Sequence, residues 1–340
     1  MSCAGGYDRR SGRYDGNAEP RLIMDALSDV LRAAHLSGGV FLHAEFTAPW
    51  CVATQVTSRL CAPFLGPTAH LIPYHYVLEG EMLVALAGGV SQELRSGDVV
   101  LFPRNDPHIL GSDIRLPAVL SGDLIHPPAA GGGLYSIRHG GGGARTRMIC
   151  GFLGSDSATA NPVLTTLPPV IRLKIEETGS AEWIRSTFQY AADEVARGRP
   201  GSETVLAKLS ELLFVEAVRR YLEDLPAHET GWLAGLRDPV VARVLALMHS
   251  DIARAWSVDE LGRQAGISRS ALAERFSRFI GLAPMQYLSH WRLQVAAQRL
   301  KGTSASLAQV AEAIGYESEA AFSRAFKKKF GSAPATWRRN

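Results

Sequence analysis

The residues of this chain best placed to do chemistry recur as a pair of segments. GISRSALAERFSRFIGLAP, at 266–284, returns as GYESEAAFSRAFKKKFGSAP, at 315–334, with one extra residue in the second turn. Ser268, Ala271, Phe276, Gly281, Ala283 and Pro284 reappear as Ser318, Ala321, Phe326, Gly331, Ala333 and Pro334. Each copy starts with a short apolar helix, Val258 to Ala265 or Leu307 to Ile314, ending at Gly266 or Gly315, where glycine supports a tight turn. Ser268 or Ser318 can then cap a second helix, whose inner face carries Leu272 with Phe276, or Phe322 with Phe326, one helical turn apart. The outer face presents Arg269, Ser270, Ala273, Glu274 and Ser277 in the first copy, and Glu319, Ala320, Ser323, Arg324 and Lys327 in the second. Helices that offer hydrogen-bonding groups and cations from a tight turn suit the polar edges and phosphates of a duplex.

Elsewhere the reactive groups are sparse. Cys3, Cys51, Cys61 and Cys150 are scattered, with neither a CxxC pair nor histidines at zinc-site spacing, which excludes a disulfide framework or a structural zinc motif. Cys51 and Cys150 lie in apolar sequence, where a free cysteine is usually an inert small hydrophobe, although Arg147 is near Cys150. The glycine-rich stretch AAGGGLYSIRHGGGG, 129–143, lacks the Gly-Lys-Ser/Thr of a phosphate loop and is expected to be a flexible loop.

The elements that position these groups follow from length and pattern. A chain of 340 residues exceeds one ordinary core, so two domains are expected. The net charge of +3 divides into +7 for residues 238–340 and −4 for the remainder, which points to a polyanionic partner for the C-terminal part alone. No stretch has the length and apolarity of a membrane span, and residues 1–20 read as a polar, disordered arm without an apolar signal core. With free thiols, this implies a cytoplasmic protein. Residues 40–125 alternate apolar runs with Gly, Pro, Asn and Asp, as antiparallel strands do, and 145–153 add another strand. Helices are expected at 181–198, closed by Gly198, and from Ser202 to Leu225, followed by a linker at 226–238. The second helix has a wide apolar arc (Leu206, Leu209, Leu213, Ala217 beside Phe214, Val218, Tyr221, Leu222, Leu225) that either closes the sheet domain or also pairs two subunits. Between the repeats Pro284 opens a long helix that Gly302 can end, a spacer able to hold two recognition helices about 34 Å apart.

At SVDELGRQAGISRSALAERF, WRLQVAAQRL and LAQVAEAIGYESEAAFSRAFKKKFGSAPATWRR, covering about 240–339, the chain resembles the AraC/XylS regulators. The resemblance implies an all-α DNA-binding unit with two helix-turn-helix elements. Carried over by position, Ser270, Ala273, Glu274, Ser277, Glu319, Ala320, Ser323 and Arg324 face the bases, and Ser268, Arg269, Arg278, Ser318, Lys327 and Lys328 face phosphates. Arg324 matches a position from which the family often contacts DNA, and arginine can grip guanine bidentately. Ala273 and Glu274 stand where larger polar or cationic groups are common. Glu274 either accepts from cytosine or repels phosphate. Tyr287 and Trp337 read as core aromatics.

Upstream, YHYVLEGEMLVAL (74–86) and GDVVLFPRNDPH (97–108) resemble the two motifs of the cupin barrel. The metal-binding set of that fold is largely gone: its glutamate falls on Pro73 and its histidine pair near Pro67, Thr68 and Ala69, leaving His108, with His75 on the same strand face as Pro73. The layout resembles the cupin-bearing subgroup of AraC-type regulators. It implies an α+β chain of two domains: a disordered arm at 1–20, an antiparallel cupin-like β-barrel sensor at 21–180, a helical dimerisation segment and linker at 181–237, and a double helix-turn-helix at 238–340. Expected partners are double-stranded promoter DNA, RNA polymerase, a second subunit and a small effector near His75 and His108, with no cofactor, no metal and no catalytic residue. The sign of regulation is open. Two alternatives stand: a redox sensor using Cys51 and Cys150, and a metal-dependent cupin enzyme fused to a DNA-binding module. The missing ligands speak against the second. Elemental analysis of the purified protein should therefore find no stoichiometric metal; near-unit zinc, iron or manganese would refute the expectation.

Overall fold

The computed structural model describes residues 19–34, 36–57, 70–127, 135–155, 161–174, 201–226 and 228–339, with Ser186, Thr187 and Tyr190 besides. The polar arm at 1–18, Cys3, Cys61 and nearly all of the expected helix at 181–198 lie outside the described residues. The chain divides into two units, Ala34–Ala227 and a second made of Met1–Ala33 with His228–Asn340. No helix among the described residues is long and apolar enough to cross a membrane.

The first unit is built on two sheets. One has six strands in the order β11 (Ile171–Lys174), β6 (Asp98–Leu101), β3 (His70–Glu79), β10 (Arg145–Ser155), β1 (Ser37–Thr47), β9 (Tyr135–Gly140). The other has five: β5 (Gln92–Arg95), β4 (Glu81–Leu86), β7 (His108–Gly111), β2 (Cys51–Thr54), β8 (Val119–Leu120). Pairing is antiparallel except at one edge of each sheet, where β9 runs parallel to β1 and β8 parallel to β2. Alternation sends Ala44, Phe46, Val77 and Met148 from the larger sheet into one core with Val52, Met82, Val84 and Leu110 from the smaller. The expectation of a flexible loop at 129–143 is corrected in part, because Tyr135–Gly140 is a paired strand. Its end packs directly on the backbone of β1. Gly140 has φ 138°, and a Cβ there would overlap the Thr47 carbonyl, while Gly141 N–H donates to that carbonyl at 2.9 Å. Glycine is needed for contact here.

Helix α3 (Ser202–Asp224, following the short α2 at Pro162–Thr166) lays its apolar arc on β1, β10 and β11. Leu206, Leu213, Phe214, Ala217 and Val218 are buried. Tyr74 Oη–H donates to Ser210 Oγ at 2.9 Å, and Ser210 passes its own hydrogen to the Leu206 carbonyl. The arc thus closes the sheet domain, leaving Leu212 as a large exposed apolar side chain on this helix.

The second unit is helical: α1 (Glu19–Ala33), α4 (Trp232–Arg237), α5 (Pro239–Ser250), α6 (Val258–Ala265), α7 (Arg269–Ile280), α8 (Pro284–Gly302), α9 (Leu307–Ala313), α10 (Glu319–Phe330) and α11 (Pro334–Arg339). Its composition departs from the expected boundaries twice. The sequence puts 21–33 in the sensor, yet α1 packs on α5 and α8, and Gln298 Nε2 donates to the Ala33 carbonyl at 2.7 Å. The sequence also makes 226–238 a linker, whereas Trp232–Arg237 is a helix with Trp232, Leu233 and Leu236 buried. The reason is a polar cluster inside apolar packing. Trp232 Nε1–H donates to Tyr287 Oη at 2.8 Å, and Tyr287 donates to His249 Nε2, also at 2.8 Å. The other His249 nitrogen faces Asp29 of α1 at 3.6 Å. Burial holds the His249 pKa below its ordinary value, Asp29 opposing that shift, so the ring is neutral.

Because α4 belongs to this core, a fragment of residues 228–340 should melt at a higher temperature than one starting at Asp238. The shorter fragment loses Trp232, Leu233 and Leu236, each contributing about 1.5–3 kcal/mol, together with the smaller Ala234, and leaves Tyr287 without the Trp232 donor. Equal melting temperatures would show that α4 adds nothing to the fold.

Candidate nucleic-acid interface and sensor cavity

Each helix-turn-helix is set by its own caps. Ser257 accepts from Glu260 N–H to start α6, and Gly266 ends it with φ 75°. Ser268 accepts from Ala271 N–H to start α7. In the second copy Ser306 and Gln309 form a reciprocal capping box at α9, and Ser318 accepts from Ala321 N–H at α10. Leu272 and Phe276, like Phe322 and Phe326, are fully buried, which turns the opposite faces outward.

On α7, Arg269, Ser270, Glu274 and Arg278 are exposed, while Ala273 and Ser277 are half-buried. Arg269 is engaged by Asp259 of α6 at 3.1 Å, and Arg278 lies over the Phe279 ring. Sequence reasoning missed Arg275. Its guanidinium holds both oxygens of Asp238 at 2.7–3.0 Å, while Asp238 also caps α5 by accepting from Val240 and Val241 N–H. The local signal, Asp-Pro as a helix start, marks the cap; nothing local marks the partner.

On α10 the cations differ in freedom. Arg324, Lys327 and Lys328 are exposed and make no hydrogen bond or ion pair among the described residues. Lys329 instead donates to the His290 carbonyl at 2.9 Å, and burial lowers its pKa to about 8. Glu319 and Ala320 are exposed on the first turn and Ser323 is half-buried. Tyr287 is buried, and Trp337 packs on Phe326 and Phe330 while donating to the Ala297 carbonyl, so both are core aromatics.

In the first unit a partly open cavity of about 270 Å³ lies between the two sheets. Its walls are mainly apolar, including Leu42, Phe46, Leu110, Ile137 and Phe152, with Thr54, His75, Ser121, Tyr135 and Cys150 as the polar or thiol-bearing members. The two sequence-predicted histidines meet: His75 Nε2 and His108 Nε2 are 2.9 Å apart, both rings are buried, and Phe102 stacks on His108 at 3.6 Å. Only His75 lines the cavity. His108 Nδ1 lies 2.9 Å from the Asp106 carbonyl, which can only accept, so that nitrogen carries the hydrogen. A neutral His108 then has a bare Nε2, and His75 must donate to it from Nε2–H. This leaves His75 Nδ1 as a bare acceptor, and it has no partner. Burial keeps both rings neutral: it puts His75 well below its ordinary pKa, with His108 reinforcing the shift, and lowers His108 to about 4 against the opposing Asp106 carbonyl.

The cysteines do not come together. Cys51 lies on β2 and Cys150 on β10, in different sheets, and both are free thiols. Burial raises both pKa values, Cys150 to about 12, and Asp113 raises Cys51 further. Neither is the electropositive, activated thiolate that redox chemistry uses.

Comparison with known proteins agrees with both halves. A cupin family model matches residues 25–223 and a helix-turn-helix domain model matches 261–340. A protein of Streptomyces lividans named as an AraC-like transcription regulator is 35% identical, covering 93% of this chain and 99% of its own. One of Streptomyces antibioticus with the same name is 32% identical, over the same shares of the two chains. The HTH-type transcriptional regulator AlkR of Acinetobacter baylyi is 29% identical, again over 93% and 99%. With a cupin domain ahead of a helix-turn-helix domain and relatives matching along nearly its whole length, the chain belongs to the AraC-like transcription regulators.

Proposed function

We propose that this regulator reads a promoter by inserting α7 and α10 into successive major grooves of one duplex face. The observation that carries the reading is the outward face of α10, where three unpaired cations surround a recognition helix whose buried face is fixed. Arg324 grips a guanine edge, with Glu319, Ala320 and Ser323 beside it. Lys327 and Lys328, one turn further on, neutralise phosphates together with the Ser318 hydroxyl. On α7, Ser270, Ala273, Glu274 and Ser277 face bases, and Ser268, Arg269 and Arg278 face phosphates. The Arg269–Asp259 pair is exposed and therefore weak, so Arg269 can exchange its partner for a phosphate.

The cupin domain acts as an effector-binding sensor and not as an enzyme, with His75 lining its cavity and His108 bonded to His75 behind it. The protein works in the cytoplasm as a homodimer in contact with RNA polymerase. Leu212, exposed on α3, is the apolar contact that a second subunit would cover.

Arg324→Ala and Lys328→Ala separate base reading from charge neutralisation. Loss of Arg324 should cost about 1–3 kcal/mol on the preferred site and relax selectivity at one base pair, with a smaller change on scrambled duplex. Loss of Lys328 should weaken all sequences alike and reduce the slope of log K against log salt by about 0.9. Titrations of cognate and scrambled duplexes across a salt series check both; equal losses on the two duplexes for Arg324→Ala would remove its base-reading role.

A further inference from the structure

The two helix-turn-helix elements are built on different halves of one helix. Toward the start of α8, Tyr287 meets Phe276 of α7 edge to face, and Trp291 stacks on His249 of α5. Toward its end, Leu293, Ala296, Ala297 and Leu300 share a core with Val310 of α9 and with Phe322 and Phe326 of α10. Apolar packing of this kind holds each element down but fixes its rotation about α8 only loosely, because it is not directional. A duplex is sensitive to that rotation. One added base pair moves a subsite by about 3.4 Å and turns it by about 35°.

Arg292 stands between the two sets of apolar contacts, half-buried. Its guanidinium is spread over three backbone carbonyls: Nε–H donates to Ile252 at 2.8 Å, Nη2–H to Arg254 at 2.7 Å and Nη1–H to Gly315 at 3.3 Å. Ile252 and Arg254 belong to the segment that leads from α5 into the first helix-turn-helix, and Gly315 is the turn of the second. The entry segment is itself braced, since Trp256 Nε1–H donates to the Asp251 carbonyl at 2.9 Å and Arg254 pairs with Glu260 of α6. Gly315 comes directly against it. With φ 76°, a Cβ on Gly315 would overlap the Ala253 carbonyl and crowd Arg292 Nη2. The turn of the second element thus rests on the chain that enters the first, and the planar fork of Arg292, whose donors point in fixed directions, ties the two together.

We propose that Arg292 is the positioning residue that fixes the spacing and rotation of α7 relative to α10, and thereby the number of base pairs this regulator requires between its two subsites. This rests on the reading that both helices enter one duplex. Arg292 meets no base in this role; it acts through the backbone of the two elements, and Gly315 leaves the room for it to do so.

The test uses the full-length protein and a duplex that the wild type selects from random sequence, its two subsites located by base-pair substitution. Affinities are measured by fluorescence anisotropy on that duplex, on versions with one base pair inserted or removed between the subsites, and on versions with either subsite scrambled. The wild type should lose at least about tenfold on the respaced duplexes. Arg292→Lys keeps the charge and Arg292→Gln keeps a planar donor, but neither reaches three carbonyls, so in both the respacing penalty should shrink to about threefold or less. Binding to the duplexes with one subsite scrambled should stay within about twofold of wild type, because a single recognition helix needs no spacing. A respacing penalty as large in the variants as in wild type overturns the proposal, and so does a uniform loss on every duplex, which is what a folding defect gives. A wild type that needs both subsites yet is indifferent to their spacing overturns this inference alone. If scrambling one subsite costs the wild type nothing, the reading of two inserted helices fails, and this inference with it.

Discussion

The buried carboxylate of Asp238 does three things at once. It accepts from two backbone N–H groups at the start of α5 and takes both prongs of the Arg275 guanidinium from α7. Each link constrains the others: the cap fixes the carboxylate, and the fixed carboxylate fixes the roll of α7 about its own axis. That roll decides whether Ser270, Ala273 and Glu274 share the outward face. A hydrophobic contact in the same place would hold α7 down but would leave its rotation looser, because apolar packing is not directional. Removing Arg275 would leave the buried Asp238 carboxylate with only its two backbone donors, whereas Arg275, whose side chain is half-exposed, would return to solvent if Asp238 were removed.

The two helix-turn-helix elements share a frame and differ in electrostatics. In the first copy Arg269 and Arg275 are already paired within the protein, and Glu274 is exposed among the groups that would meet a duplex. In the second, Arg324, Lys327 and Lys328 are all available. Exposed cations without an ion pair among the described residues are therefore more numerous on the second copy, where there are three, than on the outward face of the first, where Arg278 is one.

In the cupin-like unit, the positions to which the sequence resemblance assigns metal ligands have surroundings of another kind. Pro73, at the place of the glutamate, lines an apolar cavity, and the surviving His108 is held by Phe102 and the Asp106 carbonyl beside His75. Two neutral rings exchanging one hydrogen bond are stable in a dry setting where a charged imidazolium would not be. The polar remnant of the site is thereby turned into a hydrogen-bond acceptor with a fixed sense.

The sequence by itself determined the parts whose causes are local. Serine caps, glycine turns, the Phe pairs one helical turn apart and the strand-breaking residues act within four or five positions, so the helix-turn-helix repeat and its outward residues were legible in the order of the amino acids. The family resemblance extended this to the cupin half. Tertiary structure alone decided the rest, because its causes join distant residues. Arg275 finds Asp238 across 37 positions, and His75 finds His108 across 33. Trp232, in what reads as a polar linker, is drawn into a core by Tyr287, 55 residues away. Helix α1 carries a buried apolar face of its own, with Ala26, Leu27, Val30 and Ala33, but that it docks on α5 is chosen by folding, and Tyr135–Gly140 of the glycine-rich stretch becomes a strand because β1 offers an open edge. A partner chosen by folding leaves no mark at the spacing where sequence patterns are read.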